Sequence, residues 1–153
     1  MASYSCNHRS KMNFYQQDPG ECAGTCAGMC VKKSATQMRA DGIDVGYINW
    51  SKVASKYGYN HKICTTTSAL NSPSTLLSYL KLGYPIIAQT RSTSINGTQY
   101  DHYVTVYAFS GNDASPSWSN FTCGDPAPNV GGDGKQLDLS DNFKGFYRYV
   151  YYY

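Results

Sequence analysis

The sequence predicts an α+β domain in which N-terminal helices pack against an antiparallel sheet. Two observations lead there. Residues 22–83 carry capped segments of helical period, and from residue 84 onward the period falls to two, with short apolar or alternating runs separated by Gly, Pro, Asn and Asp. A block of helices followed by a block of strands argues for segregated layers rather than alternating β-α-β units. At 153 residues the chain is long enough for one substantial core and too short for two ordinary ones, so residues 1–153 are read as a single domain.

The first helix is expected to open at Cys22 and run through "CAGTCAGMCVKKSATQMRADG" as one amphipathic, small-faced element that stops at Gly42. The second is "NWSKVASKYG", with Asn49 as N-cap and Gly58 as terminator. In the third, "SPSTLLSYLKLG", Ser72 caps, Pro73 takes the first turn and Gly83 ends the helix. The strands are "YPIIAQTRS", "YDHYVTVYAFSG", the segment "WSNFTCGDPAP" that runs into a turn, and the aromatic "FKGFYRYVYYY" at the end; "NVGGDGKQ" reads as a loop. There is no internal repeat, and residues 40–95 carry no recognisable motif.

Composition limits the functions available. Hydrophobic residues make up 41% and charged residues 15% of the chain, which describes a folded globule rather than a disordered one. The net charge of +3 is spread thinly, with no basic run longer than Lys32-Lys33, so nucleic acid is not expected as a partner; an anionic polymer such as a cell wall suits this weak basicity. No apolar run is long enough to span a bilayer, and the N-terminal segment lacks the apolar block of a secretory signal. A soluble monomer is expected, with its compartment left open. Six cysteines are few for this length in a disulfide scaffold, and reduced thiols are the expectation. Cys22, Cys26 and Cys30 have even four-residue spacing, which matches neither a zinc knuckle nor an iron–sulfur motif, so no metal or cofactor is expected.

That same spacing, in "QQDPGECAGTCAGMC", places the three thiols on one stripe of a helix, with Cys22 at its start. There the unpaired backbone N–H groups and the helix dipole favour an anion, which makes Cys22 a candidate nucleophile. Cys26 and Cys30 lie deeper and read as core. Cysteine-based acyl transfer further needs a base, a group to orient it and donors for the oxyanion. His102, inside an alternating strand, is the candidate base; His8 lies in a terminal segment and His61 beside a helix end. Asp125, in "CGDPAP", is the candidate orienting group, and Asn112 and Asp113 lie in the turn between it and His102. Gln16, six residues before Cys22, is the candidate oxyanion donor, with Gln17 adjacent.

The segment "QQDPGECAGTCAGM" resembles the active-site start of papain-like cysteine peptidases, above all the bacteriocin-processing, double-glycine-type enzymes and their free-standing relatives. "DHYVTVYAF" is similar to that family's histidine strand and "CGDPAP" to its Asp-Pro element, in the family's order Gln, Cys, His, Asp. Ala23 departs from the glycine that commonly follows the nucleophile, with Gly24 one place later. The stretch from His102 to Asp125 is longer than is usual in the family. The resemblance implies a papain-like fold and hydrolysis of a peptide or amide bond by Cys22, His102 and Asp125, with Gln16 and the Cys22 N–H at the oxyanion. It implies a peptide substrate, either peptidoglycan, as for free-standing cell-wall hydrolases, or a leader peptide. A catalytically inactive peptide-binding module of the same fold, and a cysteine-framed or metal-stabilised interaction protein, are the competing classes. The intact Gln-Cys-His-Asp set argues against the first and the cysteine spacing against the second.

Overall fold

A computed structural model describes residues 3–65, 72–93, 99–128, 131–137 and 146–153. The element order is strand β1 (Tyr4–Asn7), a 3-10 turn (Arg9–Lys11), helices α1 (Cys22–Val31), α2 (Ala35–Ala40) and α3 (Trp50–Tyr57), strand β2 (His61–Thr65), helix α4 (Pro73–Leu80), strands β3 (Ile86–Thr93) and β4 (Gln99–Gly111), a second 3-10 turn (Trp118–Asn120), and strands β5 (Phe121–Asp125), β6 (Gly132–Gln136) and β7 (Phe146–Tyr152). The described strands form one sheet of order β2-β7-β3-β4-β5-β6, with β1 added to β4. All the pairings are antiparallel. The α+β class expected from the sequence is the one observed.

Helix ends follow local chemistry. The Asn49 side chain accepts from Lys52 N–H, and Gly58, at φ 76°, closes α3 in the left-handed conformation. Pro73 occupies the first turn of α4, where its missing N–H costs nothing. The single long helix expected over 22–42 is instead two. Lys32 adopts a left-handed conformation (φ 59°) and closes α1 with its N–H on Gly28 O, and Ser34 then caps α2 by accepting from Gln37 N–H. A close approach holds this break: a Cβ on Gly28 would come within 2.3 Å of Lys33 O. Nor is α1 amphipathic, since every residue from Gly24 to Val31 is buried.

Both faces of the sheet are covered, so the apolar run at β3 has no polar side. Ile87, Tyr103 and Val150 pack with Cys26, Val31, Trp50 and Val53 of α1 and α3. Their chain neighbours Ala88, Val104 and Tyr149 point the other way, into a cluster with Leu76, Leu77 and Leu80 of α4. Three strands escaped the sequence reading: β1, β2, and β6, which occupies part of the segment read as a loop. The last strand begins at Phe146; residues 143–145 of the run expected to form it lie outside the described residues. No helix among the described residues is long and apolar enough to cross a membrane.

Candidate active site

Helix α1 begins at Cys22, and its first intrahelical bond runs from Thr25 N–H to Glu21 O (2.9 Å). The N–H groups of Cys22, Ala23 and Gly24 therefore precede the ladder and point out of the helix start. Two contacts fix this end. Arg39 of α2 reaches back to Glu21 (2.6 Å) and Asp18 (2.9 Å). On the other side the first turn lies so close to the 42–49 loop that a Cβ on Gly24 would stand 2.3 Å from Val45 O. Glycine is thus demanded at position 24, whereas Ala23 is accommodated half-buried.

Cys22 is half-buried, whereas Cys26 and Cys30 lie inside the core. Burial raises the pKa of the Cys26 thiol and pushes that of Cys30 up to about 12, so neither is a thiolate near neutrality. The six cysteines are all free thiols.

β4 carries His102 near its start, and β5 returns antiparallel beside it with Gly124 opposite Thr105. Asp125 at the end of β5 is thereby brought back to His102 across 23 residues of sequence, and its Oδ1 accepts from His102 Nε2 at 2.7 Å. The side chains are 12% and 7% exposed. Asp125 Oδ1 also accepts from Ala127 N–H (3.0 Å) and Oδ2 from Lys135 Nζ (3.1 Å). Cys22 also acts on the ring, its hydrogen bonding and charge favouring the protonated imidazole. Burial by itself would lower the His102 pKa; the hydrogen bonds to Asp125 and Cys22 and their negative charge outweigh it and hold the imidazole at about 9. For Asp125, burial works to raise the pKa, but the bond to His102, the Ala127 N–H and the charge of Lys135 leave it below the usual carboxylate value.

The structure thus brings Cys22, His102 and Asp125 together. Gln16 is exposed; Gln17 beside it is half-buried, its N–H donating to Pro126 O (2.9 Å) and its Oε1 buried with no hydrogen-bond partner. Asp113 lies elsewhere: it sits past the end of β4, paired with Lys81 at 3.0 Å, roughly 30 Å along the strand from His102. The extra length between His102 and Asp125 is used by the long β4 and the 3-10 turn before β5, and does not displace Asp125 from the histidine. Lys135 was missed in the sequence because "NVGGDGKQ" has neither apolar residues nor alternation.

A half-buried thiol at a helix start, an imidazole and a carboxylate in series can carry nucleophilic acyl transfer. No curated protein matches the chain. The family model described as the Peptidase_C39 like family matches residues 9–153, nearly the whole chain, and the chain belongs to this family of papain-like cysteine peptidases.

Proposed function

We propose that this protein hydrolyses a peptide or amide bond with Cys22 as nucleophile, His102 as general base and acid, and Asp125 as the group that orients the imidazole. The observation that carries this reading is the 2.7 Å contact from His102 Nε2 to Asp125 Oδ1, with Cys22 close enough to act on the same imidazole. With its titration raised to about 9, His102 holds a proton near neutral pH and can keep the one that Cys22 gives up as the sulfur attacks. The sulfur attacks the carbonyl carbon, and the oxyanion is held by the Cys22 N–H and by the side-chain amide of Gln16, whose spacing to Cys22 selects it and whose exposure leaves it free to meet a substrate. His102 gives its proton to the leaving amine, and a thioester remains. A water then attacks, delivering its proton to His102, and collapse of the second tetrahedral intermediate releases the acid and restores the thiol. One catalytic unit, residues 1–153 acting as a monomer, suffices for these steps.

For the substrate we favour the peptides of peptidoglycan, because the net charge of +3 suits an anionic polymer. The test is incubation of the wild type and Cys22→Ala with purified peptidoglycan and, separately, with a double-glycine leader peptide, followed by mass spectrometry. New amine termini in stem or cross-bridge peptides, absent with Cys22→Ala, are expected. Cleavage of the leader alone would make this a processing peptidase. Binding without cleavage of either would make it an inactive module of the same fold.

A further inference from the structure

We propose that Lys135 is a positioning residue for the hydrolysis, acting through Asp125, an inference that rests on the reading of Cys22, His102 and Asp125 given above. β6 reads "GDGKQ", without one apolar residue, yet it pairs with β5, the strand that carries Asp125.

The register explains what β6 does. Lys135 pairs with Cys123 and Asp133 with Gly124, so two adjacent residues of β5 face two residues of β6 that are separated by Gly134. Gly134 is the extra residue of a β-bulge and takes φ 82°, a left-handed value suited to glycine. In a regular strand Asp133 and Lys135 would share a face. The bulge turns them to opposite faces. Asp133 accepts from Tyr107 OH (2.9 Å) and pairs with Arg9 (2.8 Å). Lys135 points to the face of Cys123, where Asp125, two residues further along β5, is its diagonal neighbour, within reach of a long side chain. Its Nζ lies 3.1 Å from Asp125 Oδ2, with the lysine side chain 23% and the aspartate 7% exposed.

The two oxygens of Asp125 are thus divided. Oδ1 accepts from His102 Nε2 and Ala127 N–H, and Oδ2 is taken by Lys135. A carboxylate held by only one oxygen can rotate about its last bond and swing its acceptor away from the imidazole; held at both, it cannot. Lys135 also sets charge. It compensates the buried carboxylate and, bound to the other oxygen of the same Asp125, opposes the positive charge of protonated His102. The largest charge effects on His102 come from Asp125 and Cys22, and those on Asp125 from His102 and Lys135. Cys26, one turn deeper on α1, also feels Asp125 and stays neutral.

The experiment uses the full chain with Lys135→Arg, Lys135→Gln and Lys135→Ala, each checked for folding by circular dichroism. Two readouts are taken: kcat and KM on one peptide substrate, and the His102 titration midpoint by NMR without substrate. Lys135→Ala should lower kcat about tenfold with KM little changed, the size expected when a partner behind a reacting side chain is lost. Lys135→Gln keeps a donor and should recover most of kcat. Without the positive charge, both variants should raise the His102 midpoint, by about half a unit. Lys135→Arg should restore both quantities. Wild-type kcat together with an unmoved midpoint in Lys135→Ala and Lys135→Gln overturns the proposal, even if these variants melt earlier, because that pattern describes a residue that only anchors β6. Hydrolysis by Cys22→Ala would instead remove the reading of the site, and the midpoint, needing no turnover, would still decide the place of Lys135.

Discussion

Asp125→Asn removes one charge from the site while leaving an oxygen that accepts from His102 Nε2, and its consequence for stability can be worked from the native geometry. His102 titrates at about 9 in the folded chain against 6.5 for an ordinary histidine, because its bonds to Asp125 and Cys22 outweigh burial. A histidine whose pKa is raised by folding stabilises the fold fully below pH 6.5, and this contribution is lost as pH rises through 9. At 1.36 kcal/mol per unit the rise corresponds to about 3 kcal/mol at most. The lowered pKa of Asp125 is the same contact seen from the carboxylate: it stabilises above the ordinary carboxylate value and is lost in acid, and it is not to be added. Urea unfolding of the wild type at pH 6 and pH 9.5 should show this loss. In Asp125→Asn the difference between the two pH values should shrink to the part Cys22 supplies. Asp113→Ala, which removes only a partly exposed contact to Lys81, is the control and should follow the wild type. An undiminished pH dependence in Asp125→Asn would refute the argument, since the buried contact would then contribute nothing to the raised pKa. Turnover gives a second view: Asp125→Asn should retain much more activity than Asp125→Ala, because the amide oxygen still holds the ring in place.

Three further outcomes are expected. Iodoacetamide at mildly acidic pH should label Cys22 far faster than Cys26 or Cys30, which are buried in the core; peptide mapping showing Cys26 or Cys30 labelled at a comparable rate in folded protein would contradict the site. Gln16→Ala should leave KM unchanged and lower kcat about a hundredfold, the usual effect of losing one oxyanion donor. Gln17→Ala should cost little turnover, and the reverse result would transfer the donor role to Gln17, whose Oε1 is buried beside the Pro126 turn. Gly24→Ala should destabilise the chain by about 1–3 kcal/mol in a thermal melt, because the added methyl meets Val45 O at 2.3 Å; an unchanged melting temperature would mean that the 42–49 loop gives way freely.

Much of this protein is legible from residues close together in the chain. Asn49, Gly58 and Pro73 mark their helices because capping and φ preferences act over one turn, and the switch to alternation after residue 84 marks the sheet because each strand offers an apolar set to a core. Cys22 stands out for the same local reason, a thiol at a helix start. What sequence alone left undecided depends on pairing between distant segments. β1 and β2 are short, and β6 is a polar, glycine-containing strand; they exist because β4, β7 and β5 offer hydrogen-bonding edges, which no local pattern announces. The break between α1 and α2 comes from a lysine in the left-handed conformation, held by packing rather than by preference. Which acid faces His102 was open between Asp125 and Asp113 in the sequence; the antiparallel register of β5 on β4 puts Asp125 at the histidine and leaves Asp113 at the far end of the strand, with Lys81. Lys135 reaches that carboxylate through the bulge at Gly134, an offset of one residue that turns the side chain to the other face and that only the folded sheet determines.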